Sequence, residues 1–369
     1  MAITGMSALS ACGRGVEPLF EAAVTGAPAF APVTRFDTGR YRASSGAEHP
    51  GSRSLAEELT ACVDEACTAA KLTVAQRAAT PLLMACHPDP AFVRMPADRQ
   101  AGRSAAGDAV ELAESAGLGG GVRVYTSACV AGSTAVADAA ALVAAGRYER
   151  LVVAAGYLLD EDHFALFDAG RSLSKEGSLR AFAADRSGLL LGDAVACVVV
   201  ESAASAAGRG AQIQAELAGW GRAGDAHHVS QPHPEGVGMT RAIVAALRRA
   251  GLAPSDIGYV NAHGTGTRAS DAAEAVALHR ALGPHGHEVP VSSTKTVHGH
   301  TLEAAGVLEL TLVVRALQAR RLPVNAGVPD ADPELGLTLV GETPTPRTRH
   351  ALSLNAAFGG ANTALVVSA

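Results

Sequence analysis

Aromatic side chains make up only 4% of this 369-residue chain, and a single Trp is among them. With 48% hydrophobic residues the chain can still bury a sizeable core, but it must build that core mainly from Ala, Val and Leu. No apolar run reaches the roughly 18 residues needed to span a bilayer. The nearest candidate, "LLLGDAVACVVV" at 189–200, is interrupted by Asp193, so no membrane association is expected. The N-terminal "MAITGMSALSACG" lacks the basic segment and long apolar stretch of a secretion signal. A basic excess is missing too: the net charge is -6 and the pI ≈ 6.1, which argues against a general nucleic-acid binder. The six cysteines (Cys12, Cys62, Cys67, Cys86, Cys129 and Cys197) form no CxxC pair and are too sparse for a disulfide scaffold. A reducing cytoplasm is the expected compartment. Cys62 and Cys67 lie five apart on an expected helix and read as packing residues. Charged residues at 18% and apolar segments along the whole chain exclude long disorder.

Several short apolar runs, bounded by Gly or charged residues, read as fully buried strands. They are "RVYTS" near 123, "RLVVAAGY" near 150, "AVACVVVES" near 194, "IGYVNAH" near 257, "VPVSST" near 289 and "ALSLNAAF" near 351. Between them lie helical patterns: "AGSTAVADAAALVAAGRYER", "TRAIVAALRRAGL", "DAAEAVALHRALG" and "LEAAGVLELTLVVRALQARR". Strands alternating with helices predict an α/β protein with a mainly parallel sheet. The two halves are loosely alike, and the small-residue segment "AASAAGRGAQ" at 203–212 suits the divide between residues 1–205 and 206–369. Residues 36–60 and 86–107 are polar and Pro/Gly-rich and read as loop.

Cys129 sits where "VYTSACVAGSTAVADAAALVAAG" passes from strand to helix. At such a junction the N-terminal N–H groups and the helix dipole favour an anion, which predicts a lowered thiol pKa. The turn also pushes a side chain out of the sheet, as in nucleophile elbows. Taken alone, the local sequence reads more readily as a small buried hydrophobe. Three downstream segments bear on the choice. "YVNAHGTGTRASDAAE" places His263 after a strand, "SSTKTVHGHTLEAAG" holds Lys295, His298 and His300 at a second junction, and "NAAFGGANTALVV" has a Gly-Gly turn between two strands.

Taken together these segments resemble the β-ketoacyl synthases, the condensing enzymes of fatty-acid and polyketide synthesis. "TSACVAGS" is similar to the family's nucleophile motif, "NAHGTGT" to its first histidine motif, "KTVHGHTLEAAG" to its second and "FGGANTAL" to its C-terminal turn. The similarity extends through "MAITGMSALSACG", "RSLSKEG", "AFAADRSGLLLGD" and "GDAHHVSQPHPEG", in the family's order along nearly the whole chain. It implies a thiolase fold, with two similar βαβαβ halves packed as five α-β-α-β-α layers. The first half would carry the nucleophile and the second the two histidines.

The resemblance also implies roles. Cys129 would hold an acyl group as a thioester, a task suited to a thiolate. His263 and His300 would stabilise the enolate formed when a malonyl thioester loses carbon dioxide, supported by Lys295 and Glu309. The N–H groups of Cys129 and Phe358 would hold the thioester oxygen, with Phe358 as the gate beside Gly359 and Gly360. Thr265 and Thr267 would contact the phosphopantetheine arm of an acyl carrier protein. No bound cofactor and no metal are expected, since the repeated "HGH" lacks a carboxylate or thiol at zinc-site spacing. His227, His228 and His233 read as loop residues.

The chain is shorter than a usual member, with the missing material between about residues 40 and 120. Asp193, Ala194 and Ala196 replace an expected glutamate and two glycines. A divergent member from type II polyketide or related specialised metabolism is implied, forming a homodimer or a heterodimer with a chain-length-factor-like subunit. Two other readings stay open: an acyltransferase that uses the same Cys-His-His site without decarboxylation, and a non-catalytic chain-length-factor-like partner.

Overall fold

The computed structural model describes residues 1–51, 53–87, 104–326, 331–341 and 349–369. One mixed sheet organises the chain. Its main strands are β1 (Ala2–Ser10), β2 (Leu82–Ala85), β3 (Val122–Tyr125), β4 (Arg150–Tyr157), β5 (Ala194–Glu201) and β6 (Ala215–Gly224), followed by β7 (Ile257–Asn261), β8 (Pro290–Ser292), β9 (Thr338–Leu339), β10 (His350–Ala356) and β11 (Ala361–Ser368). They run β3-β2-β4-β5-β1-β6-β11-β10-β7-β8-β9 from edge to edge. At the centre β1 and β6 share only two register pairs, Ala2 with Glu216 and Ile3 with Ala215.

Outward from that seam the two sides repeat one pattern. The order β1-β5-β4-β2-β3 on one side matches β6-β11-β10-β7-β8 on the other, each with its earliest strand at the seam. The "mainly parallel" expectation is corrected here. Only the outer pairs are parallel (β4–β2, β2–β3, β10–β7, β7–β8 and β8–β9), while every pair from β4 through the seam to β10 is antiparallel. The sequence pattern could not separate the two cases, because β4 and β5 are buried on both faces at every position and read as continuous apolar runs.

The main helices are α1 (Val16–Thr25), α2 (Leu55–Ala69), α3 (Ala105–Ser115), α4 (Ala131–Ala144), α5 (Glu161–Ala169), α6 (Val237–Ala250), α7 (Arg268–Leu282) and α8 (Ala305–Ala319). Helix α2 covers the outer face of β1, β4 and β5, and α6 covers β6 and β11. Between the two sides lie α4 and α8, which touch each other and strands from both. The result is five layers, α-β-α-β-α. A helix in the middle layer is buried all round, so it is mostly apolar and its few polar side chains need partners. In α8 every residue from Ala305 to Val314 is buried.

Two expected loops are also corrected. Residues 36–60 end in helix, because Ser54 and Glu57 form a capping box that starts α2. Residues 105–107 open α3, capped by the Ser104 side chain. Residues 88–103 of the second expected loop lie outside the described residues. Cys62 and Cys67 are buried packing residues of α2, as read from their spacing.

Small residues let α4 and α8 meet backbone to backbone. A Cβ at Gly132 would lie 2.7 Å from the Glu303 carbonyl oxygen, and one at Gly306 would lie 2.4 Å from the Ser133 amide nitrogen. Neither neighbour is a side chain that could swing away. Gly306→Ala is therefore expected to lower stability by about 1–3 kcal/mol through overpacking, read as a lower urea midpoint with an unchanged denaturant slope. A wild-type midpoint would show that the crossing has slack.

Candidate active site

Cys129 is carried on a single 3-10 turn, Ala128–Val130, at the head of α4. The residue before it, Ala128, has a φ of 49°, the left-handed region that a Cβ disfavours. His300 lies in the matching approach to α8 and puts Nε2 3.1 Å from Cys129 Sγ. His263 follows β7, and its ring meets that of His300 edge-on, with centroids 5.4 Å apart. All three side chains are buried. Residues separated by as many as 171 positions thus converge on one point.

The supporting groups are buried as well. Lys295 Nζ donates to Glu309 Oε1 at 2.5 Å, and Asn355 Nδ2 donates to Glu309 Oε2 at 2.8 Å. His263 is aimed by Glu274, whose two carboxylate oxygens accept the backbone N–H groups of His263 and Gly264 at 2.7 and 2.8 Å. Asp271 does the same one turn earlier in α7, accepting from the N–H groups of Gly266 and Phe182. Neither carboxylate was singled out from the sequence. Their signal was their place in the first two turns of a helix following a Gly/Thr loop, where acidic groups can collect loop N–H donors.

Thr265 and Thr267 stand together in that loop, Oγ1 to Oγ1 at 3.1 Å. Phe358 is half exposed and stacks on Phe167 at 5.8 Å. Gly359 and Gly360 both have positive φ, 83° and 75°. Strand β10, which leads into this turn, packs against the Cys129 turn, and Thr363 bonds Ser133 of α4 at 2.6 Å. His298 is not part of the thiol cluster; its Nε2 sits 3.1 Å from Thr294 Oγ1. His227 and His233 face each other in a loop before α6. Among the described residues, no group of three or more His, Cys, Asp or Glu side chains is placed to hold a metal ion.

Electrostatics correct one expectation. Burial pushes the Cys129 thiol up to about 12, with the Glu303 carboxylate adding to the effect and Lys295 opposing it. Helix-dipole stabilisation is outweighed because the sulfur has lost its water. At neutral pH Cys129 is therefore a neutral thiol, which could act as a nucleophile only by losing its proton as it attacks. The imidazoles are neutral for the same reason. Burial, followed by the nearby Lys295 charge, holds both His263 and His300 well below the ordinary range, and His298 falls to about 3. Neutral imidazole can accept a proton from sulfur or donate to a developing oxyanion.

The N-terminal domain model of the β-ketoacyl synthases matches residues 95–206, and its C-terminal domain model matches residues 214–328. The chain belongs to the β-ketoacyl synthase family. It is 37% identical to 3-oxoacyl-[acyl-carrier-protein] synthase 2 of Synechocystis across 65% of this chain and 59% of that protein. It is 38% identical to nodulation protein E of Rhizobium leguminosarum bv. trifolii across 68% of this chain and 62% of that protein. Against a Streptomyces cyaneus protein described as a polyketide β-ketoacyl synthase the identity is 36%, and the chain spans 63% of that relative's length. Among solved structures, the ishigamide ketosynthase/chain length factor superposes with a TM-score of 0.91 at 25% identity, covering 100% of this chain and 98% of that one. A β-ketoacyl synthase from Burkholderia phymatum gives 0.90 at 25%, with the same coverage. The thiolase-type layering expected of a β-ketoacyl synthase is the fold this chain has.

If His300 takes the thiol proton, His300→Ala is expected to slow iodoacetamide alkylation of Cys129 at neutral pH by about 100-fold, measured by peptide mass spectrometry. Equal rates would remove His300 from that step. In the wild type, alkylation is expected to show no acid limb near pH 6.5, since the imidazole beside the thiol titrates far lower. A limb at that pH would mean an ordinary histidine.

Proposed function

We propose that this β-ketoacyl synthase loads an acyl group onto Cys129 and extends it by decarboxylative Claisen condensation with a malonyl-type thioester on an acyl carrier protein. The observation that carries the reading is the buried cluster of one thiol and two neutral imidazoles. In the first half-reaction, Cys129 Sγ attacks the carbonyl of an acyl thioester. A new S–C bond forms, the carrier thiolate leaves, and the proton from Cys129 passes by way of His300 to that thiolate. The N–H groups of Cys129 and Phe358 hold the carbonyl oxygen meanwhile.

In the second, the malonyl carboxylate leaves as carbon dioxide and its electron pair becomes an enolate. N–H groups of His263 and His300 stabilise the enolate oxygen. Such donors act strongly in a site without water and need no reorganisation at the moment of reaction. The enolate carbon then attacks the Cys129 thioester, a C–C bond forms, the S–C bond breaks, and the cysteine thiolate takes up a proton. Burial keeps both imidazoles neutral, and Lys295, fixed by Glu309, reinforces this through its charge. Thr265 and Thr267 line the approach of the phosphopantetheine arm, and Phe358 closes over the acyl group.

The chain acts in the cytoplasm as two thiolase-like halves, residues 1–205 with the nucleophile and 206–369 with the histidines. It works as a homodimer or with a chain-length-factor-like subunit, in polyketide- or fatty-acid-type biosynthesis. Retention of Cys129, His263 and His300 speaks for a catalytic subunit over a silent partner. Transfer of the acyl group to another nucleophile remains the second reading, since the same thioester serves it.

Intact mass spectrometry with acyl-loaded carrier proteins tests the first step. Cys129→Ala is expected to gain no acyl mass, and persistence of the adduct would overturn the assignment. His263→Ala is expected to load but to release carbon dioxide from a malonyl carrier about 100- to 1000-fold more slowly. Unchanged release would exclude His263 from enolate stabilisation, and loading with no release in the wild type would favour the transferase reading.

A further inference from the structure

Glu303 has no part in the chemistry described so far, yet its charge acts on Cys129 more strongly than that of Glu309, the other acidic group felt there. Its side chain is 1% exposed. Neither carboxylate oxygen accepts a hydrogen bond from a described residue. His87 Nδ1 stands in ion-pairing contact with Oε1, but the alignment is not that of a hydrogen bond. A buried carboxylate with no aligned hydrogen-bond donor and one histidine neighbour is costly, a cost that an apolar residue here would avoid.

Its location is specific. On one side its charge acts on Cys129. On the other it acts on Cys86, Tyr157 and His163. Those three residues, with His87, line a cavity of about 970 Å³ bounded by α2 and α3. The geometry agrees: Glu303 lies in the turn just after His300, and its Oε1 touches His87, which lines the cavity. The Tyr157 hydroxyl is buried there too, with the Asp160 backbone beside it but outside good hydrogen-bond geometry. Asp160, by contrast, is already engaged, with Oδ2 2.6 Å from His163 Nδ1. The backbone presents the group deliberately. Leu302, just before Glu303, has a φ of 44°, as Ala128 has 49° just before Cys129. Each leads into a 3-10 turn at the head of a central helix.

We propose that Glu303, with Tyr157, is the recognition point for an O–H or N–H donor on the acyl group that Cys129 holds, and that the acyl chain passes Glu303 into the cavity. The substrate class is thus a hydroxyacyl or aminoacyl thioester, as opposed to a plain alkanoyl one. A site that must satisfy a buried acceptor rejects a substrate lacking the donor far more strongly than an apolar pocket rejects an added methylene. The proposal rests on acyl loading of Cys129.

The test uses the full chain and pantetheine thioesters of equal length. These are octanoyl, hydroxyoctanoyl with the hydroxyl at successive carbons, and amino-octanoyl, and Cys129 loading is followed by intact mass. At one donor position loading is expected to exceed octanoyl by about tenfold or more. The hydroxyl and amine arms distinguish the two donor types. Glu303→Gln, near in shape and still an acceptor, is expected to keep part of the hydroxyl preference and lose the amine preference. Glu303→Leu is expected to lose both and to load octanoyl at least as fast as the wild type. Equal wild-type rates for all thioesters, or a preference that survives in Glu303→Leu, would overturn the role of Glu303 while leaving acyl loading intact. Failure of every thioester to load the wild type would overturn the loading reading itself, and the proposal with it.

Discussion

The contact between the heads of α4 and α8 governs the geometry of the site. Gly132 faces the Glu303 carbonyl, and Gly306 faces the Ser133 amide, so the two helices touch main chain to main chain. Cys129 lies just before one head, and His300 and Glu303 just before the other. Moving the helices apart by one methyl group would change the 3.1 Å thiol–imidazole distance. The low aromatic content belongs to the same design, since bulky rings between these helices would forbid the approach.

Burial then sets the charge states. In water a cysteine beside two histidines would share protons readily around neutrality. Here desolvation leaves the thiol protonated and the imidazoles bare, and the fixed charge of Lys295 reinforces the second effect. Lys295 is tolerable in so dry a place because Glu309 pairs with it and Asn355 satisfies the remaining carboxylate oxygen. A pair of this kind contributes little net stability, but removing one partner would strand the other. Its value lies in the potential it imposes on the ring nitrogens.

Much of this was legible in the sequence. Cys129, His263, His300 and Lys295 each sit in a short motif, Glu309 was reached only through the family resemblance, and the structure brings all five close together. The strand and helix runs around them were equally clear, because continuous apolar stretches between Gly and charged residues leave few alternatives. What stayed hidden depends on long-range pairing. Nothing local tells β4 that β5 runs against it, so the apolar runs alone suggest a parallel centre. The thiol's raised pKa is hidden because a helix terminus is visible in sequence and depth of burial is not. Glu303 passed unnoticed because its neighbours His87, Tyr157 and His163 come from distant segments, and its own motif gives no hint of them.

The buried carboxylates that aim the histidine loop also shape how the fold meets acid. Burial raises Asp271 and Glu274 to about 7. Below that pH the native state takes up protons that the unfolded chain accepts only nearer 4, so acidification across this window favours the fold. His263, His298 and His300 work the other way. Their native values are depressed, so from about pH 6.5 downward the unfolded chain binds protons that the folded one refuses, and stability is lost. Each fully engaged group contributes about 1.4 kcal/mol per pH unit, with opposite signs for the two sets. The carboxylates that orient the loop thus also buffer the fold against the acid sensitivity that its dry imidazoles create.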